Sequence, residues 1–475
     1  MAITSLTPGQ SYVGLLIDGV DGTPYTGATL RMEDRGPVVD VPYISHDETG
    51  QFAHVDEWFR TQTPPQNLIL HTPDGMIGLY GIRWRGHSVR SGVSLGQLTP
   101  SETLLGRYEG SLSEPFKVAE ARSAVDGLRQ WTQLYGITSD REIGEDGTED
   151  LVVRVTTGVE STWQQGEAKM SLMSDWRTAV PDVDPHSGLN ISTQPVLISK
   201  FPEPRPLNDH ISEQRKVVHL LTLIAGSPIH FRQHHVGDEQ IVLRSMGATV
   251  LGHPRVEAIS SHTVQDYAQP RPNKSALDRM LTRFSDVGEA GMVRWNEQYE
   301  PWKKFILPAA GDFGRTGSFM EDTIISMSMS LEAAGKIIGE RPGETDTYEH
   351  NRPITATQVY RCLDVIGVSW GEIGNNAGIA RGIARTYNSI KHFNSGEYPD
   401  AAVSHLVSGI AQMIVRLMTL HLLDESGSLL AQYREVGAMS DLEKRAKHYR
   451  LSFDARGNIV STESGEPNEE SEAHA

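Results

Sequence analysis

The chain has 475 residues, a formal net charge of −18, 38% hydrophobic residues and one cysteine. That length allows two or three domains, each with its own core. The acidic balance excludes a uniformly basic nucleic-acid coat, although a local basic cleft on an acidic body still attracts a phosphodiester. A lone cysteine excludes both an internal disulfide and a cysteine-rich zinc cluster. The opening Met-Ala-Ile-Thr-Ser-Leu-Thr-Pro-Gly-Gln lacks the charged and long apolar regions of a signal peptide, which predicts a cytoplasmic protein.

Up to about Phe201 the pattern is short β-like runs separated by Gly, Pro, Asp and Asn, at 12–17, 28–32, 67–71, 151–155 and 196–201. Residues 79–87 alternate best and read as one half-buried antiparallel strand, with Arg83, Arg85 and His87 on its solvated side. A helix is predicted over 211–225, where Val217, Val218, Leu220, Leu221 and Ile224 form an apolar stripe closed by Gly226 and Pro228. A strand at 240–244 and helices at 277–284 and 292–306 follow, and Pro308 with Gly311 marks a boundary.

Beyond about Gly311 the pattern is wholly helical. Met320, Ile324, Met327, Leu331, Ala334 and Ile338 step by three and four, as do Val359, Leu363 and Ile366 in a second helix. Residues 379–392 supply a third helix, and Val403, Val407, Ile410, Ile414, Leu417 and Met418 a fourth. Cys362 reads as a small core residue of the second. Residues 401–423, interrupted by His405, Gln412, Arg416 and His421, read as a core helix and not a membrane span. The fold class is therefore α+β, with a β-rich region at 1–310, an all-α bundle at 311–455 and an acidic disordered tail at 456–475 that carries Glu463, Glu466, Glu469, Glu470 and Glu472.

The third helix carries chemistry. At about 100° per residue Arg381, Arg385, Asn388 and His392 fall within roughly 60° of one another, opposite Ile379, Ile383 and Ile390. A buried face has no packing use for such a stripe, so it points to a cleft, a partner or open water. A guanidinium holds a phosphate while an imidazole exchanges protons near neutral pH, and Asn388 between them can orient the imidazole or a ribose hydroxyl. Similar Arg and His spacings occur at Arg205 and His210, Arg255 and His262, and Arg416 and His421. Of the two pairs within the bundle, Arg385 and His392 differ by about 20° on a helix, whereas Arg416 and His421 differ by about 140°.

Other constellations point elsewhere. His230, His234 and His235 lie near Asp238 and Glu239, but an adjacent His pair on a strand cannot aim both rings at one ion, so no metal is expected. Asp182 and Asp184 lack the turn Gly and closing Glu of a calcium loop, with Ser187 and Thr193 in those places, and read as a polar turn. There is no phosphate-binding glycine loop, nucleophile elbow or zinc-protease motif, and no cofactor is implied.

With an Arg, six residues and then a His on the third helix of a bundle, and an Asn between, the sequence resembles the HEPN-domain ribonucleases, in particular the ApeA-like anti-phage proteins. Ser330-Leu331-Glu332-Ala333-Ala334 resembles the family's acidic segment. Val125-Asp126-Gly127-Leu128-Arg129-Gln130-Trp131, Leu220-Leu221-Thr222-Leu223-Ile224-Ala225-Gly226 and Gly27-Ala28-Thr29-Leu30 resemble its β-rich N-terminal region. The resemblance implies metal-independent RNA cleavage by a homodimer in an abortive-infection defence, with no membrane involved. Arg385, Asn388, His392 and Glu332 would be catalytic, and Arg381, Lys391 and Tyr387 would contact RNA, Tyr387 by stacking a base or else by packing beside Ile383. The N-terminal region would sense a phage-derived trigger. The alternative is a non-catalytic RNA-binding or interaction protein that dimerises through the bundle.

Overall fold

Most of the β-branched and aromatic runs of the first half pair into one large antiparallel sheet, because each half-apolar strand can bury its inward row only beside its neighbours, while the predicted run at 151–155 pairs with Ile137–Ile143 in a separate two-stranded sheet. The computed structural model describes residues 5–46, 50–90, 92–106, 112–143, 149–156, 158–179, 190–245, 249–392, 398–424, 426–435 and 440–461. Among these, fourteen strands lie in the order Gly158–Gln165, Ala168–Ala179, Asn190–Pro206, Lys117–Val125, Phe231–Gly237, Val256–Ser260, Glu102–Leu105, Gly75–Tyr80, Asn67–Thr72, Ser11–Ile17, Thr26–Glu33, Gly36–Tyr43, Ser94–Thr99 and Arg83–Ser88. Helix α1 (Ala53–Thr61) buries Val55, Trp58 and Phe59, and Phe59 stacks on Tyr43 with ring centroids 5.1 Å apart.

The middle of this sheet has two chemically distinct faces. Ser123 pairs with Leu197 on one side and His234 on the other, and this row faces helix α2 (Leu207–Ala225). From α2, the Gln214 amide donates to the Ala121 carbonyl at 3.0 Å and Ser199 Oγ at 2.9 Å. His210 sits between Ser199 Oγ at 3.0 Å and the Val118 carbonyl at 3.0 Å. Burial lowers the pKa of His210, and it pushes that of His234 down to about 3, so both imidazoles serve as neutral core groups. The opposite face carries Glu120, Arg122, Gln233, His235 and Glu257, since neighbours along a strand point to opposite sides.

Two differences from the sequence reading have local causes. Residues 79–87 form parts of two strands, Gly75–Tyr80 and Arg83–Ser88, because Gly81 adopts φ +61°, a left-handed turn conformation that ends the first strand. Pro308 and Gly311 mark no boundary: both lie inside a helix, Lys303–Phe313, whose buried Phe305, Ile306, Ala309 and Ala310 hold it together across the proline.

The chain divides into two compact units, one formed by Met1–Val218 with Ile229–Pro272 and the other by His219–Pro228 with Asn273–Ala475. The division thus falls well before residue 311, since the helices that bury Met292, Trp295 and Phe305 belong to the second unit. That unit contains α3 (Phe284–Tyr299), α4 (Lys303–Phe313), α5 (Met320–Ile338), α6 (Thr355–Ile366), α7 (Asn376–Lys391), α8 (Ala401–Leu423) and α9 (Ser440–Tyr449). The periodicities predicted for α5 to α8 are present, and Cys362 is a buried core residue whose Sγ lies 3.6 Å from the Leu331 carbonyl. Among the described residues α8 alone is long and apolar enough to cross a membrane, and 78% of its most apolar window is buried inside the protein.

Candidate functional site

Asn375 opens α7 as its N-cap, its side-chain oxygen accepting from the Gly378 N–H at 2.7 Å. Ile379, Ile383 and Tyr387 then fall on the buried side and Arg385 and Asn388 on the exposed side, with Arg381 half-buried. The predicted polar face is present as far as Asn388. His392, however, is not a helical position: α7 ends at Lys391, and His392 is its C-cap, with φ −108° and ψ 86° and its N–H donating to the Asn388 carbonyl at 2.9 Å. The helical angle between Arg385 and His392 therefore does not apply, and the exposed imidazole sits just past the helix end. Asn394, Ser395 and Gly396 were the stop signal available in the sequence.

A β-hairpin, Leu451–Phe453 paired with Ile459–Ser461, occupies the remainder of this face. Arg385 donates through Nη1 to the Gly457 carbonyl at 3.2 Å and to Asn458 Oδ1 at 2.5 Å, and through Nη2 to the Arg456 carbonyl at 3.2 Å. Arg381 donates to the Ala455 carbonyl at 3.4 Å and to that of Asp346. Within the turn, Asp454 accepts from the Asn458 side chain at 2.8 Å and backbone at 2.7 Å, bonds that hold its carboxyl below the usual range, with Arg385 adding to the effect. Gly378 and Gly382 make this approach possible. A Cβ on Gly382 would lie 2.3 Å from the Phe453 ring, and one on Gly378 2.3 Å from the Asp454 carbonyl oxygen. Residues 456–461, assigned from sequence to the acidic tail, are thus turn and strand, fixed by contacts that composition does not register; 462–475 lie outside the described residues.

The other site candidates divide. Lys391 Nζ lies 5.2 Å from the centroid of the Tyr387 ring, and Tyr387 is 5% exposed, so its ring packs and is not presented for base stacking. Glu332, on α5, pairs with Lys336 at 2.7 Å as an i,i+4 ion pair, while the hydrogen bonds of Arg385 go to the hairpin. What α7 exposes at its C-terminal end is therefore a guanidinium, an amide, an ammonium and an imidazole, from Arg385, Asn388, Lys391 and His392. Such a set can bind a phosphodiester and move a proton beside it, in competition with the hairpin carbonyls for Arg385.

Elsewhere the Arg and His pairs are structural or dispersed. Arg205 pairs with Glu167, and His210 is a core group. Arg416 donates to the Ile224 carbonyl at 2.8 Å, and burial lowers the pKa of His421. His234 and His235 point to opposite faces of their strand, as alternation requires. Asp182, Asp184 and Ser187 lie outside the described residues. One buried group had no sequence signal: Glu344, the first residue of a short 3-10 helix, Glu344–Thr347, receives Nε and Nη2 of Arg361 at 2.7 and 2.8 Å, the Tyr348 hydroxyl at 2.8 Å and the Arg341 N–H at 2.8 Å.

A large antiparallel sheet followed by a helical unit defines the chain as an α+β protein. Residues 35–295 match the model for ApeA N-terminal domain 1, and since this is more than half of the 475 residues, the chain belongs to the ApeA family, an association with anti-phage defence. The match bears out the N-terminal resemblance at 125–131 and 220–226, begins after the segment at 27–30 and stops short of α4 to α9. No curated protein and no solved structure matches the chain.

Proposed function

We propose that the chain is an endoribonuclease of an anti-phage abortive-infection system, cleaving RNA at the exposed end of α7. The observation that carries this reading is the grouping of Arg385, Asn388 and His392 at one exposed helix terminus in a member of the ApeA family. His392 removes the proton of a ribose 2′-hydroxyl, whose oxygen attacks the adjacent phosphorus; the P–O5′ bond breaks, a 2′,3′-cyclic phosphate forms and the leaving 5′-oxygen takes a proton from solvent water, the imidazolium then returning its own to solvent. Arg385 stabilises the charge that builds on the phosphoryl oxygens, and Asn388 orients the imidazole or ribose. Lys391 adds a phosphate contact. Glu332, engaged by Lys336, has a supporting role at most. Two copies facing one another would complete a basic cleft, and the N-terminal unit would restrain it until a phage-derived signal arrives.

The test is RNA cleavage by the purified chain in the presence of a chelator, with product ends analysed. Arg385→Ala and His392→Ala should each lose about 100-fold or more, with cyclic-phosphate ends from the parent. Equal cutting by both variants removes this site. A second reading, a non-catalytic RNA-binding or interaction module, is favoured by one observation: Arg385 is already held by three hairpin acceptors. Under that reading His392→Ala leaves RNA binding intact and no cleavage is found in the parent.

A further inference from the structure

The sheet face opposite α2 is hollowed into a cleft of about 770 Å³, within the usual range for a ligand site. Its apolar surface comes from Met76, Leu105, Ala124, Val196, Val242 and Val256. At the rim stands Trp176, 44% exposed, an unusual position for an indole unless something covers it.

The polar part is built around one carboxylate. Glu120 Oε1 receives Nε of Arg122 at 2.7 Å and Nε of Arg255 at 2.8 Å, and its other oxygen lies 3.4 Å from Lys200 Nζ. Burial raises the pKa of Glu120, but the bonds from Arg255 and Arg122 outweigh it and hold the carboxyl at about 2, so the clamp is ionised at any physiological pH. Both guanidinium groups are thereby fixed through Nε, both residues line the cleft, and among the described residues Arg122 Nη1 has the Met173 thioether at 3.8 Å. The same cleft is lined by Asp74, Asp175 and Glu257, the last held by the Gln233 amide at 2.6 Å.

A cleft lined by two arginines and three carboxylates chooses among ligands. A nucleotide or oligonucleotide gains from the arginines but carries its phosphates towards three negative groups, whereas a chain of mixed charge satisfies both sides. The backbone beside the cleft fits the same class: Leu243, which lines it, belongs to a two-stranded sheet, Leu243–Arg244 with Val250–Gly252, that pairs with no other strand among the described residues. Such a strand can accept an extended peptide by edge addition.

We infer that this cleft binds an extended peptide segment of a partner protein, with an acidic group of the peptide on the Arg122 and Arg255 pair, a large apolar side chain against Trp176, and a basic group towards Asp175 and Glu257. This deepens the reading of the N-terminal unit as a sensor and rests on that part of it, while being independent of whether the bundle cuts RNA.

The test uses the full chain. A randomised dodecapeptide library is selected against it, an enriched peptide is synthesised with a fluorescent label, and its affinity is measured by polarisation for the parent, Arg255→Ala and Trp176→Ala, with ATP and oligo-adenylate as competitors. Trp176 is exposed, so its variant should melt with the parent, whereas Arg255→Ala also takes one partner from the buried Glu120 carboxylate and is therefore compared below its own melting transition. The expected result is enrichment of peptides that combine an acidic group with a large apolar residue, a loss of about tenfold or more in each variant, and weaker binding at high salt. Three outcomes overturn the inference: no enrichment, equal binding by the variants, or displacement by the nucleotides, which would make the cleft a nucleotide site. Because binding is the readout, failure here and failure of the nuclease reading are separable.

Discussion

Gly378→Ala tests whether the hairpin is seated on α7 as tightly as its geometry requires. In a helix, replacing Gly by Ala ordinarily stabilises by about 1 kcal/mol. Here the new Cβ would lie 2.3 Å from the Asp454 carbonyl oxygen and 3.2 Å from that carbonyl carbon, a contact with backbone that no side-chain rotation relieves. The hairpin must lift. Lifting exposes Phe453, 5% exposed when seated, at about 2 kcal/mol, and trades the carbonyl bonds of Arg381 and Arg385 for water at about 1 kcal/mol apiece. Since the hairpin can shift without detaching completely, and since Ala returns its propensity gain, the net expected loss is about 2 kcal/mol, or roughly thirtyfold in the opening equilibrium.

Hydrogen exchange reads this directly. The amides of Asp454 and Gly457, bonded in the seated turn to the carbonyls of Asn458 and Asp454 at 3.0 and 2.9 Å, should lose protection while those of α8 keep theirs. The matched control is Gly311→Ala, also within a helix but with nothing within 4 Å of its new Cβ, which should stabilise by about 0.5–1 kcal/mol. If Gly378→Ala stabilises as Gly311→Ala does, with unchanged exchange across 451–461, the tight seat is refuted.

Removing one partner of the buried Glu344 and Arg361 pair, as in Arg361→Ala, should cost about 3–5 kcal/mol in denaturant unfolding, because the remaining carboxylate is stranded; a cost below 1 kcal/mol would show that water reaches it. The hydrogen bonds from Arg361 hold the Glu344 carboxyl down at about 2, so its contribution is present above the unfolded pKa of about 4.5 and is lost as pH falls towards 2. Glu344→Gln should flatten the acid limb of the stability curve in that window. Glu102 has the opposite sign: burial, with Asp209 adding, raises its pKa to about 7, so its contribution is present in acid and lost as pH rises from about 4.5 through 7. Glu102→Gln should therefore raise the melting free energy by about 1–3 kcal/mol at pH 8 and change it little at pH 4.5; equal effects at both pH values would exclude the assignment.

Helices α5 to α8 could be read from spacing because a helix buries one face and each turn repeats the requirement locally. The N-terminal strands could be found for the same reason, but not their neighbours. Lys117–Val125 lies beside Phe231–Gly237 across more than a hundred residues, a pairing decided by which half-apolar strands fit together around α2. The exposed face bearing Arg385 and Asn388 was likewise legible, since an isolated polar stripe among isoleucines has a local signature. The place of His392 was not, because extrapolating a helical angle assumes the helix continues, and α7 stops one residue earlier. Nor could the sequence show that the hairpin at 451–461 takes up both arginines, that Arg361 finds Glu344, or that one carboxylate, Glu120, clamps Arg122 and Arg255 over a cleft. Local patterning determines which residues must be buried and which must reach water. Which polar groups then meet depends on contacts between segments remote in the chain, and only the tertiary structure settles those.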